Sequence, residues 1–126
     1  MKLGLWFTIN AVIAILFGLG FILMPAQLLS LYAVELPVQG IFVAQLYGCA
    51  LLGFGIITGM LRNATPSSGE VRAVLLGLLV SELLGFAFSL WYQLQGMANS
   101  LGWLTVALYL VLGLGFAYFY FKKPAA

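Results

Sequence analysis

In the stretch VRAVLLGLLVSELLGFAFSLWYQL, Val71 to Leu94, Glu82 is the single charged side chain after Arg72. A helix of about 20 predominantly apolar residues, at about 1.5 Å each, covers the roughly 30 Å of hydrocarbon in a bilayer. Backbone groups in lipid must bond within their own segment, so the stretch reads as a transmembrane helix. Working outward, three further runs of the same kind stand at Leu3 to Met24, Val38 to Leu61 and Leu101 to Phe121. Met24-Pro25, RNATPSSGE and QLQGMANS punctuate them. Of the 126 residues 64% are hydrophobic and 6% charged, too few charges to solvate a globular surface. The predicted fold class is therefore all-α: an integral membrane four-helix bundle, with residues 1–126 forming a single transmembrane domain.

Charge placement predicts the orientation. Lys2, Arg62, Arg72, Lys122 and Lys123 all lie in the amino-terminal, middle-loop and carboxy-terminal segments, and the other two loops carry no Lys or Arg. By the positive-inside rule both termini face the cytoplasm, and the basic balance does not indicate nucleic-acid binding. Tyr32, Trp91, Tyr92 and Trp103 then fall at the outer interface, and Trp6, Tyr118 and Tyr120 at the inner one. Lys2 before an apolar run has the look of a leader, but the run is too long and no small-x-small site follows, so the first span is expected to be retained. PAQLLSLYAVELP after it is open to two readings, a loop or a short interfacial helix starting at Pro25 and placing Leu28, Leu29 and Tyr32 in the headgroups.

The chain has no histidine and one cysteine. That removes the commonest metal and haem ligand, any internal disulfide and any CxxC or HExxH spacing. A nucleophile needs a neighbouring base and an orienting group, and no His or Lys lies within the spans to build one. The chain is read as a non-enzyme with no catalytic residue, no metal site and no evident cofactor. Cys49 reads as a small apolar side chain and Asn63-Ala64-Thr65 as a turn.

Small residues mark the faces on which helices can approach. Ala73, Gly77, Ser81, Gly85 and Ser89 recur at a spacing of four on the third span. Ala44, Gly48, Leu52, Gly55 and Gly59 share one face of the second, and Asn10, Ala14 and Gly18 one face of the first. A tight bundle is expected from them.

The polar candidates inside the membrane are Glu82, Asn10, Gln45 and Tyr109. Glu82 lies about 15 Å along the helix from Arg72, close to the midplane, where an ionised carboxylate is penalised by several kcal/mol. The protonated acid, able to donate as well as accept, is the form expected there. On the helical wheel it borders the small-residue row, about 20° from Ser89. Depth alone pairs it with Asn10, while Gln45, Tyr47 and Tyr109 belong nearer the outer leaflet. Its role is left between a hydrogen bond locking helices, a contact to a partner subunit or lipophilic ligand, and a proton-coupled transport carboxylate.

LMPAQLLSLYAVEL, AQLYGCALLGFGIITGMLR and VRAVLLGLLVSELLGF, with the hydrophobic fourth span, resemble the small bacterial four-span proteins of the DoxX-like group across most of the chain. That group's pattern often has arginine at the position of Gln45, and no catalytic residue is carried over. The resemblance implies an accessory or assembly subunit in the bacterial inner membrane, packing against partner helices of a larger complex. Its expected partners are membrane lipid, other integral membrane subunits, or a second copy in a homo-oligomer; lipid, quinone and pigment are the ligands considered for the seam. The alternative is a small proton-coupled carrier or exporter built on Glu82.

Overall fold

The computed structural model describes residues 2–122; Lys123, one of the five basic residues used above, lies outside them. The described residues are all-α, with helices α1 (Leu3–Leu23), α2 (Pro25–Ser30), α3 (Val38–Leu61), α4 (Gly69–Leu94) and α5 (Gly102–Phe121) and no strand among them. The four long helices are each long and apolar enough to cross a membrane. Their bounds match the four runs read from the sequence to within two residues.

Helix ends follow local chemistry. Proline disfavours helical backbone in the residue before it, and Met24 has φ −142° and breaks α1 from α2, whose first residue is Pro25. The segment open to two readings thus contains a short helix. It closes in a Schellman arrangement: the Val34 N–H bonds the Leu29 carbonyl at 3.1 Å and the Ala33 N–H bonds that of Ser30 at 3.0 Å. Ala33 has φ 58°, a left-handed conformation that costs a non-glycine residue about 1–2 kcal/mol. Tyr32, expected among headgroups, is buried in the protein instead. The same closure ends α4, this time with Gly96 at φ 78°, Met97 bonding Tyr92 and Gly96 bonding Gln93. At the other end of α4 the Ser68 hydroxyl accepts from the Val71 N–H at 3.3 Å, and Glu70 sits in the first turn, where the helix dipole favours an acid.

The helices form two compact units. One spans residues 7–62 and holds most of α1 with α2 and α3; the other holds residues 63–122 together with the first turn of α1. In the first unit α1 and α3 run antiparallel at backbone contact. A methyl group on Gly18 would stand 2.9 Å from the Leu52 nitrogen, and one on Gly48 would stand 2.8 Å from the Gly18 carbonyl oxygen. One on Gly55 would meet Ile15 Cγ1 at 2.6 Å and the Ala11 carbonyl at 3.1 Å, while Gly59 faces the Ala11 methyl. Glycine here removes the side chain that would hold two backbones apart, which is how helices associate when lipid offers no hydrophobic driving force between them.

The second unit packs α4 against α5, also antiparallel. The Tyr109 ring occupies the space a side chain on Gly85 would fill, and the Gln93 amide does the same at Gly102. The Trp6 indole fills the notch at Gly115, and its Nε1 donates to the Leu112 carbonyl at 3.5 Å. Arg72 Nη1 donates to the Tyr120 carbonyl at 2.9 Å, satisfying one of the carbonyls left open at the end of α5.

Candidate functional site

Glu82 lies at mid-helix, about 18–20 Å of helix from either end of α4. Its neighbour across the unit is Gly113, where a methyl group would come within 3.3 Å of Glu82 Cβ. Glycine at 113 therefore lets α5 close over the acid. The residue is 8% exposed. Among the described residues no hydrogen bond or ion pair reaches its carboxyl. No fully buried side-chain polar atom lacks a partner among the described residues, so the carboxyl oxygens keep some accessible surface. Glu82 is therefore a largely buried acid whose carboxyl keeps some accessible surface and has no partner among the described residues.

Asn10, the residue that depth pairs with Glu82, belongs to the other unit and has its own partner. Its Nδ2 donates to Thr58 Oγ1 at 3.2 Å, with Asn10 4% and Thr58 0% exposed. The Thr58 hydroxyl in turn donates into the carbonyls of its own helix, Phe54 at 2.9 Å and Gly55 at 3.2 Å. Thr58 was missed in the sequence because a threonine that bonds its own helix is common in apolar spans; its signal was its place three residues after Gly55, on the face turned to α1. Gln45 is exposed and donates from Nε2 to the Ile22 carbonyl at 3.1 Å, capping the end of α1. Tyr109 packs over Gly85, and Tyr47 sets its ring edge to face with Phe21 at 5.3 Å. The four polar candidates thus divide into separate contacts, with Asn10 and Gln45 in structural bonds.

The small-residue row of α4 does not behave as one face. Ala73, Gly77 and Ser81 are exposed, with nothing within 4 Å of where a Gly77 methyl would sit, while Gly85 and Ser89 are half-buried. Ser89 Oγ donates to the Phe86 carbonyl of its own helix at 3.2 Å. The buried residues of α4 are the large Val71, Leu75, Leu78 and Leu79, with Glu82. The reason is geometric: each step of four residues turns the row by about 40°, so from Ala73 to Ser89 it winds through about 160°. A row that winds this far cannot face one straight neighbour. The α3 row, stepping 4-4-3-4, drifts only about 60° from Ala44 to Gly59 and stays on α1.

Among the described residues no group of His, Cys, Asp and Glu converges to hold a metal ion. Nor does any side chain with a nucleophile's chemistry bond to Glu82. The arrangement can offer one buried carboxyl to an outside hydrogen-bonding group, with the open residues Ala73, Gly77 and Ser81 on a different face of the same helix. Comparison with protein-family models, curated proteins and solved structures finds no match.

Proposed function

We propose that the chain is a non-enzymatic accessory or assembly subunit of the bacterial inner membrane, both termini in the cytoplasm, that packs α4 against a helix of a partner membrane protein. The observation that carries this reading is Glu82, a largely buried residue at mid-helix whose carboxyl has no partner among the described residues. A polar group at that depth is costly until bonded, and lipid tails offer nothing to bond it. Ala73, Gly77 and Ser81, about 100–180° around the helix from Glu82, leave another face of α4 bare enough for a partner backbone to approach closely. A donor that reaches the acid from its own side of α4, on a partner or on a lipid, quinone or pigment held at the seam, completes it. The resemblance to the DoxX-like group points the same way.

Mild solubilisation from native membranes, followed by sizing and identification of what copurifies, tests this. The chain is expected in a particle larger than itself. Gly77→Leu and Ser81→Leu are expected to release the partner and leave the chain's own melting unchanged, because both positions are exposed. A lone chain in the mildest detergent, or copurification indifferent to both substitutions, overturns the reading. Gly85→Leu is the contrasting variant: it collides with Tyr109 inside the chain and reports on the hairpin rather than on a partner.

The same open carboxyl favours a second reading, a small proton-coupled carrier. It requires substrate-dependent proton movement in proteoliposomes that Glu82→Gln abolishes; the accessory reading expects none.

A further inference from the structure

The face of α4 that carries Glu82 is shut on one side of the acid and open on the other. Val71, Leu75, Leu78 and Leu79 lie within about 60° of Glu82 around the helix, and all four are buried. Beyond the acid the same face runs on through Gly85, Phe86, Ser89 and Gln93, again within about 60°, and each of these is half-buried. No described residue of α4 after Glu82 is buried. The Ser89 hydroxyl is held by the Phe86 carbonyl and the Gln93 amide by that of Asn99, at 3.2 and 3.0 Å. From Leu83 to Phe121 the sequence holds no Asp, Glu, Lys or Arg, so the acid has no charged neighbour along the rest of the hairpin.

We infer that the open half of this face, on the side of the α4–α5 loop, admits a hydrophobic monovalent cation that pairs with the Glu82 carboxylate. The inference rests on the reading of Glu82 as an acid completed from outside the chain, and it names the guest by charge. An anion would meet a second negative group. A neutral guest would gain a single hydrogen bond. A cation whose charge is spread over an apolar body gives up little hydration and meets a carboxylate where the dielectric is low, so its attraction is the strongest of the three. The Tyr109 ring, standing over Gly85 one turn beyond the acid, adds an aromatic surface of the kind cations favour. As the guest arrives the acid's O–H bond breaks, its proton passes to water on the loop side, and the enclosed charge stays at zero. Entry from the other side is closed by Val71, Leu75, Leu78 and Leu79.

The test is equilibrium dialysis of the full chain in mild detergent against tetraphenylphosphonium, triphenylphosphine oxide and tetraphenylborate, each corrected for uptake by empty micelles. These probes share their aromatic bulk and differ in charge. The cation is expected to bind more tightly than the neutral oxide, and the anion not at all. Glu82→Gln should weaken cation binding about thirtyfold, to the level of the oxide. Ser89→Leu fills the open half of the face and should weaken the cation as well, so the site stays testable if Glu82→Gln unfolds the chain. Gly77→Leu lies on a different face and is expected to release the partner while leaving cation binding unchanged, which separates failure of this site from failure of the accessory reading. An oxide that binds as tightly as the cation, binding of the anion, cation binding that survives Glu82→Gln, or an equal loss in Gly77→Leu and Ser89→Leu would each overturn the site.

Discussion

Thr58 has no accessible surface, and its hydroxyl meets three groups at once: it faces two carbonyls of its own helix and accepts from Asn10. Thr58→Val keeps the shape and deletes the hydroxyl, which leaves the Asn10 amide against a methyl group. Interhelical bonds in membranes contribute about 0.6–2 kcal/mol, and a loss of about 1 kcal/mol is expected in reversible unfolding from mixed micelles. In an Asn10→Leu background the same change should cost markedly less. Equal costs in both backgrounds would mean that the bond contributes nothing. Glu82 shows the opposite situation, a buried group for which the described residues supply no partner. Residue depth could be counted along each span, but the direction in which each side chain points around its helix could not, and that direction gives Asn10 to Thr58.

Among the elements, α3 and α4 show why spacing matters more than composition. Both carry rows of small residues, yet the mixed three-and-four spacing of α3 holds Gly48 and Gly55 against α1, whereas the strict spacing of four in α4 winds off its neighbour. Two glycines two residues apart make the contrast measurable. Gly53 has nothing within 4 Å of the position a methyl would take, so Gly53→Ala is expected to be neutral or to stabilise by up to about 1 kcal/mol through helix propensity. Gly55→Ala drives a methyl into Ile15 and the Ala11 carbonyl and is expected to destabilise by about 1–3 kcal/mol. Thermal unfolding in one detergent measures both; a Gly55→Ala protein as stable as Gly53→Ala would contradict the close approach of α1 and α3.

For the molecule as a whole, the apolar surface faces outward. Leu16, Phe42, Phe88 and Leu114 are each at least 60% exposed, which in water would be a liability and in lipid is the ordinary state of a helix surface. The orientation with cytoplasmic termini makes a direct prediction. In a Cys49→Ala background, a cysteine placed at Glu35 should react with a membrane-impermeant maleimide on intact cells, and one at Ser67 only after permeabilisation. Both positions are exposed in loops at opposite ends of α3. The reverse labelling pattern would overturn the orientation and with it the assignment of Arg72 and Lys122 to the cytoplasmic leaflet.

Helix number, bounds and all-α class were legible in the amino-acid order, because a long uncharged run can satisfy its backbone in lipid in only one way and Pro, Ser and Gly mark where each run stops. The small-residue faces of α1 and α3 were legible too, but that Gly18, Gly48 and Gly55 bring these two helices against each other was decided by the tertiary structure. Tertiary structure alone decided that Ala73, Gly77 and Ser81 lie open, that Tyr109 fills Gly85, that Asn10 bonds Thr58 and that Glu82 is enclosed without a partner among the described residues. Each of these depends on the rotation of one helix against the next, and that rotation is set by the sum of many side-chain contacts across a pair rather than by any pattern within one helix.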